Sequence, residues 1–122
     1  MTIQHYQDRA MSTCMDTCMN PVYMLMNLGA EVGELQGKIA KAVRSGVADI
    51  NENRLVFREQ VGMEYIHPFM ESLAYEIGDI LWQTAGIAKA LGFSLDEIAM
   101  MNLNKLASRK ERGVIDGNGD NR

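Results

Sequence analysis

Glu31 with Glu34 and Glu76 with Asp79 form two acidic pairs, each three residues apart and each set in a run that is otherwise apolar. Three residues is nearly one helical turn, so each pair projects from one face of its helix. At about 100° per residue, Asn27, Glu31, Glu34, Lys38 and Lys41 fall within an arc of roughly 80°. Met24, Leu28, Val32, Leu35 and Ile39 flank that arc on one side, and Met26, Ala30, Gly33 and Gly37 on the other. The second helix repeats the layout: Ser72, Glu76, Asp79 and Gln83 share an arc of roughly 60°. Leu73, Ile77, Ile80 and Leu81 lie to one side of it, and Tyr75, Gly78 and Trp82 to the other. Either pair alone would usually decorate a solvated helix face. Two polar stripes, each between two apolar surfaces, are seams instead. Four carboxylates on such seams repel one another and call for a cation among them. An oxygen-only donor set suits a hard ion, magnesium or manganese.

The elements that carry these seams are helical. Ile3, Tyr6, Ala10, Cys14 and Thr17 sit at helical spacing and predict a first helix from about Thr2 to Cys18. Asn20-Pro21 reads as an N-cap followed by the first position of a second helix, which runs to about Arg44 and stops at Ser45-Gly46. Periodicity is lost from Val47 to His67. Leu55-Val56-Phe57, followed by Val61, Tyr65 and Ile66, fits either a short hairpin arm or an irregular loop. His67-Pro68 starts a third helix that spans about Pro68 to Leu91 and ends at Gly92. Ser94-Leu95-Asp96-Glu97 is a capping box, so a fourth helix begins there and continues to about Arg112, before Gly113. Asn102, Lys105, Arg109 and Arg112 fall in one arc of roughly 80°, a cationic face suited to meet the acidic seams or what they hold. The tail, Val114 to Arg122 with Gly117 and Gly119, reads as flexible or ligand-ordered. The expectation is one all-α domain over residues 1–122 with four main helices. A chain of 122 residues buries a limited core without a partner, so its size is compatible with oligomerisation.

The remaining composition excludes more than it adds. A net charge of −4 argues against a nucleic-acid partner. No apolar run reaches the length of a membrane span, and Met1 to Met19 carries Gln, His, Asp and Arg where a signal peptide needs an apolar stretch; a cytoplasmic protein is expected. Cys14 and Cys18 have no further Cys or nearby His to complete a zinc set, and read as small buried residues. His5 and His67 stand apart from any Glu-x-x-His pattern, which weakens a di-iron reading. Ten methionines point to an adaptable core. No Gly-x-x-x-x-Gly-Lys loop is present, so phosphate-loop kinases and motor ATPases fall away.

A carboxylate cluster with metal, facing Lys and Arg, is equipment for phosphoryl chemistry on a polyphosphate. The chain reads Leu28-Gly-Ala-Glu31-Val-Gly-Glu34-Leu, then Glu76-Ile-Gly-Asp79-Ile-Leu-Trp82, then Ala90-Leu-Gly-Phe-Ser94-Leu. Asn102-x-x-Lys105-Leu-x-x-Arg109-x-x-Arg112-Gly113 follows, and Tyr6-Gln7 opens the chain. Over most of its length this resembles the MazG-like all-α nucleoside triphosphate pyrophosphohydrolases. The resemblance implies that Glu31, Glu34, Glu76 and Asp79 bind magnesium, with manganese as a substitute, and carry the catalysis. It implies that Lys105 and Arg109 contact the phosphates, with Lys38, Asn102 and Arg112 as further candidates. The implied reaction is attack of an activated water on the α-phosphorus of a (deoxy)nucleoside triphosphate, giving monophosphate and pyrophosphate. One of the carboxylates takes the proton. It also implies a homodimer or tetramer in which oligomerisation completes a four-helix bundle, which fits seams that are apolar on both flanks and that a single chain struggles to cover. Many members have a shorter connection between the acidic halves, which leaves residues 47–67 for oligomer contacts or a lid. Trp82, Tyr6, Gln7 and Asn27 are the candidates for reading the base. The alternatives are an enzyme of narrow specificity in the same fold (dUTP/dCTP or phosphoribosyl-ATP), a non-catalytic helical interaction module whose stripes pair across helices, and a small DNA-binding protein using Lys105, Arg109 and Arg112.

Overall fold

Local signals set two of the helices. The computed structural model describes residues 1–119, so the last three residues of the expected tail lie outside the described residues. Helix α2 spans Pro21–Arg44: the Asn20 side chain accepts from the N–H groups of Val22 and Tyr23 at 2.9 and 3.2 Å, and Pro21 takes the first position, where no N–H is needed. It ends where Gly46 adopts a φ of 77°. Helix α4 spans Leu95–Glu111 and begins at a closed capping box. There the Glu97 N–H donates to Ser94 Oγ at 3.1 Å and the Ser94 N–H donates to the Glu97 carboxylate at 2.7 Å.

The other two helices depart from expectation. Helix α1 spans only Ile3–Met11. The Ser12 and Thr13 hydroxyls donate back to the carbonyls of Arg9 and Ala10 at 2.6 and 2.7 Å, local bonds that compete with the helix and end it. Residues Asp16–Cys18 form a separate 3-10 turn. Helix α3 spans Met63–Ala90, so Pro68 lies inside it rather than at its start. Proline there has no N–H for the Glu64 carbonyl. Aromatic packing holds the turn instead: Phe69 meets Phe57 edge to face at 5.6 Å and stacks on Tyr65 at 6.1 Å.

Of the two readings left open for residues 47–67, the hairpin is the one formed. Strands β1, Ala48–Asn51, and β2, Arg54–Phe57, pair antiparallel from Ala48 with Phe57 to Asn51 with Arg54. The Arg58 guanidinium forks onto both Asp49 carboxylate oxygens at 3.0 and 3.1 Å and closes the base of this arm.

Helices α2 and α3 run antiparallel in a fixed register. Lys38 Nζ donates to the Ser72 carbonyl at 3.2 Å, and Met24, fully buried, lies against Gly86, where an added Cβ would come within 2.7 Å of the Met24 Cε. Fourteen positions separate Met24 from Lys38, and fourteen separate Ser72 from Gly86, so the two contacts are ends of one ladder. Its intermediate rungs place Glu34 across from Glu76, Glu31 across from Asp79, and Asn27 across from Gln83.

Helix α1 crosses the C-terminal half of α3. Met11, Ala85, Ala88 and Leu95 form the core there, with Tyr6, Ala10, Cys14, Met19 and Trp82 packed around it. Gln7 ties the junction: its Nε2 donates to the carbonyls of Ala85 and Phe93, both at 3.2 Å, and its Oε1 accepts from the Leu95 N–H at 2.9 Å. The Trp82 indole N–H donates to the Ala10 carbonyl and to Thr13 Oγ1 at 3.2 and 3.0 Å. One chain leaves part of both flanks of each seam open: Met26 is 74% and Tyr75 71% exposed, and Val32 and Ile77, on the opposite flanks, are also in the open. No helix among the described residues is long and apolar enough to cross a membrane.

Candidate metal centre

The ladder between α2 and α3 delivers three acids to one point. Glu31, Glu34 and Glu76 each offer a carboxylate oxygen, and these atoms lie within 4.8 Å of one another. Glu76 is buried, Glu31 half-buried and Glu34 exposed. Asp79, nearly one turn further along α3, is exposed and stands outside that group of three. It still acts on the group. Burial is the main reason the Glu31 carboxyl sits above its ordinary range, and the Asp79 charge comes next, ahead of Glu34 and Glu76. Asn27 works the other way, its Nδ2 donating to Glu31 Oε1 at 3.1 Å.

Lys38, a candidate phosphate contact in the sequence, is held by the acids themselves. Its Nζ pairs with Glu76 Oε1 at 2.5 Å. One ammonium does not balance four carboxylates, and the charges of Asp79, Glu34 and Glu76 add to burial in raising the Glu31 carboxyl. The second Glu76 oxygen, Oε2, is buried with no hydrogen-bond partner among the described residues. A buried carboxylate oxygen in that condition is costly unless something positive meets it. Three converging oxygens, one of them on a half-orphaned buried carboxylate, and no nitrogen or sulfur donor together fit a hard divalent cation.

The basic stripe of α4 is elsewhere. Helix α4 packs against α1 and the end of α3, and among the described residues no hydrogen bond or ion pair joins the stripe to the carboxylates. Arg109 is buried, and its guanidinium donates to the Gly119 carbonyl at 3.1 Å; the Val114 N–H donates to the Arg109 carbonyl, so the described part of the tail folds back on α4. Arg112 donates to Ser108 Oγ at 3.1 Å. Asn102 and Lys105 are exposed and line a shallow pocket of about 250 Å³ with Ile98 and Met101.

The candidates for base reading divide. The amide of Gln7 and the indole N–H of Trp82 are engaged in holding α1 to the rest of the fold. Asn27 orients Glu31. Tyr6 stands near the acids, its hydroxyl pushed to higher pKa by burial and then by the Asp79 charge. Gln83, on the same stripe as Glu76 and Asp79, is a buried amide that sequence reasoning placed on the stripe and gave no role. Cys14 and Cys18 are free and half-buried.

The MazG nucleotide pyrophosphohydrolase domain is the family whose model matches this chain, over residues 20–114, a stretch that holds all four acids and the basic stripe. The Gene 37 protein of Mycobacterium phage L5 is 39% identical over 101 residues, covering 82% of this chain and 75% of that protein. No solved structure matches.

Proposed function

This chain belongs to the MazG nucleotide pyrophosphohydrolase family, and on that premise we propose that it hydrolyses a (deoxy)nucleoside triphosphate to the monophosphate and pyrophosphate with magnesium bound. The convergence of Glu31, Glu34 and Glu76, with Glu76 Oε2 buried and unpartnered among the described residues, carries this reading. Glu31, Glu34 and Glu76 would hold the ion, with Asp79 beside them as a fourth carboxylate. A divalent cation at such a site supplies charge neutralisation for a triphosphate and an acidified water at neutral pH. Asn27 keeps Glu31 oriented, and one of the four carboxylates would take the proton from water. Lys38 is paired with Glu76, and its ammonium would be available to a phosphate oxygen were a cation to take over that carboxylate. Lys105, with Asn102 and Arg112, supplies phosphate contacts from α4. The exposed apolar residues of α2 and α3, Met26, Val32, Tyr75 and Ile77 among them, would be covered by a second copy, which makes the working form a homodimer or a tetramer. The role is in nucleotide metabolism or control of the nucleotide pool, in the cytoplasm.

The test is release of pyrophosphate from each common ribo- and deoxyribonucleoside triphosphate, with magnesium present. Orthophosphate and diphosphate products in its place would refute the reaction. One observation favours a second reading: the Lys38–Glu76 pair joins the two helices without metal, as a non-catalytic bundle would. In that case magnesium leaves the melting temperature unchanged.

A further inference from the structure

Two buried glutamines in this chain behave oppositely. Gln7, 4% exposed, has both ends of its amide engaged in three hydrogen bonds and is a structural tie. Gln83, also 4% exposed, has its Oε1 buried with no hydrogen-bond partner among the described residues. A buried amide oxygen left in that state opposes folding, and sites that carry one are usually completed by something else. Gln83 is just over one turn past Asp79 on the acidic stripe of α3, and the register with α2 places it across from Asn27, the residue that orients Glu31. From Glu76 to Gln83 is seven residues, about 10 Å of helix rise. That is the reach of a nucleoside beyond its α-phosphate. Three residues beyond Gln83, Met24 packs tightly against Gly86, so Gln83 is the last polar residue of the stripe before the two helices close on each other.

We infer that Gln83 is a specificity-determining residue whose buried Oε1 accepts a hydrogen bond from the nucleoside half of the substrate, a base N–H or a sugar hydroxyl. The inference rests on the proposed hydrolysis. A site built around a buried acceptor discriminates strongly against a ligand that brings no donor, because the acceptor then stays unpaired. Replacing the amide by an apolar side chain of similar length therefore removes discrimination while leaving the acids untouched.

The experiment compares the native chain with Gln83→Met and Gln83→Asn, by pyrophosphate release across the eight common nucleoside triphosphates with magnesium. Two further probes derive from the best substrate: its 3′-deoxy form, and deoxyribose 5′-triphosphate without a base. In Gln83→Met the KM for the best nucleotide should rise about tenfold or more, with kcat within about threefold, and the ranking among nucleotides should flatten. If the donor is on the base, native and variant become alike on the base-free probe; if it is the 3′-hydroxyl, they become alike on the 3′-deoxy probe, and if the 2′-hydroxyl, on the deoxyribonucleotides. A variant that keeps the native KM and ranking overturns the inference, and so does an equal rise on all substrates and both probes, which is the mark of a structural glutamine. Should Gln83→Met show no cooperative melt, Gln83→Asn, which keeps the amide and withdraws it by one methylene, is judged by the same criterion. A native chain that releases no pyrophosphate from any nucleotide refutes the hydrolysis and this inference with it, whereas an active native chain matched by its variants refutes the inference alone.

Discussion

Glu97 and Glu31 are both glutamates on helices, and the chain treats them in opposite ways. Glu97, at the start of α4, accepts the Ser94 N–H and is held below its ordinary carboxyl range by that bond. Glu31, at the α2–α3 seam, is held above its range by burial and by Asp79, Glu34 and Glu76. The first has its partner three residues away. The second is surrounded by groups that need the same kind of partner, and a single Lys38 does not serve four acids. The contrast teaches that a charge satisfied locally builds structure, while a charge left dissatisfied by its own chain is poised for a ligand.

The largest effect that tests the contrast is on activity. Glu34→Gln or Glu76→Gln keeps size and removes a charged ligand, and pyrophosphate release should fall by about 100-fold or more with the melt still cooperative. Retained activity in either variant removes that residue from the site. Next comes the response to metal. At about 100 times its Kd, magnesium should stabilise the native chain by about 2.7 kcal/mol, on the order of 10 °C for a domain of this size. The double variant Glu31→Gln, Glu76→Gln should respond far less and melt higher than native without metal. Equal responses across a magnesium series at constant ionic strength would break the contrast.

A smaller effect comes from pH. Because the Glu31 carboxyl is raised in the folded chain, its contribution to stability is complete below the ordinary value of 4.5 and is lost as pH rises through the raised value. Glu97 has the reverse sign: its contribution is present above the ordinary range and is lost as pH falls through its lowered value. Melts of native and Glu31→Gln in chelator should therefore diverge as pH rises from about 4.5 toward neutrality, native falling behind. Magnesium, which competes with the proton, should close the gap at the upper end. Parallel curves would show that Glu31 is not strained by its neighbours. The smallest effect belongs to the other partner in the comparison. Ser94→Ala opens the capping box and should lower stability by about 1 kcal/mol, read as a lower melting temperature with an unaltered magnesium response.

What was legible in the sequence follows the same division. Asn20-Pro21 and the Ser94–Glu97 box marked the starts of α2 and α4 because caps are local bonds between near neighbours. The end of α1 was misplaced because Ser12 and Thr13 fit a helical spacing yet use their hydroxyls to terminate it. The start of α3 was misplaced because Pro68 reads as a boundary, and only the aromatic contacts of Phe69 with Tyr65 and Phe57 show why the helix tolerates it. The spacing of the acids placed each pair on one face. That Glu31, Glu34 and Glu76 converge, that Lys38 is held by Glu76, that Gln83 is buried and that Arg109 turns toward the tail all depend on how segments far apart in sequence pack. Spacing along one helix does not contain that information.

The Gln7 tie has a consequence for the order in which the molecule comes together. Its partners, Ala85, Phe93 and Leu95, lie 78, 86 and 88 residues further along the chain. A growing polypeptide cannot fasten α1 until about four-fifths of it has been made, whereas α2, the hairpin and α3 follow one another directly and close a shorter loop. The acids can thus meet before α1 docks, and the N-terminal helix arrives last, bringing Tyr6 up to Asp79. Pulsed hydrogen exchange during refolding should find the amides of α1 protected after those of α2 and α3. Simultaneous protection would mean that the first helix joins a single concerted collapse.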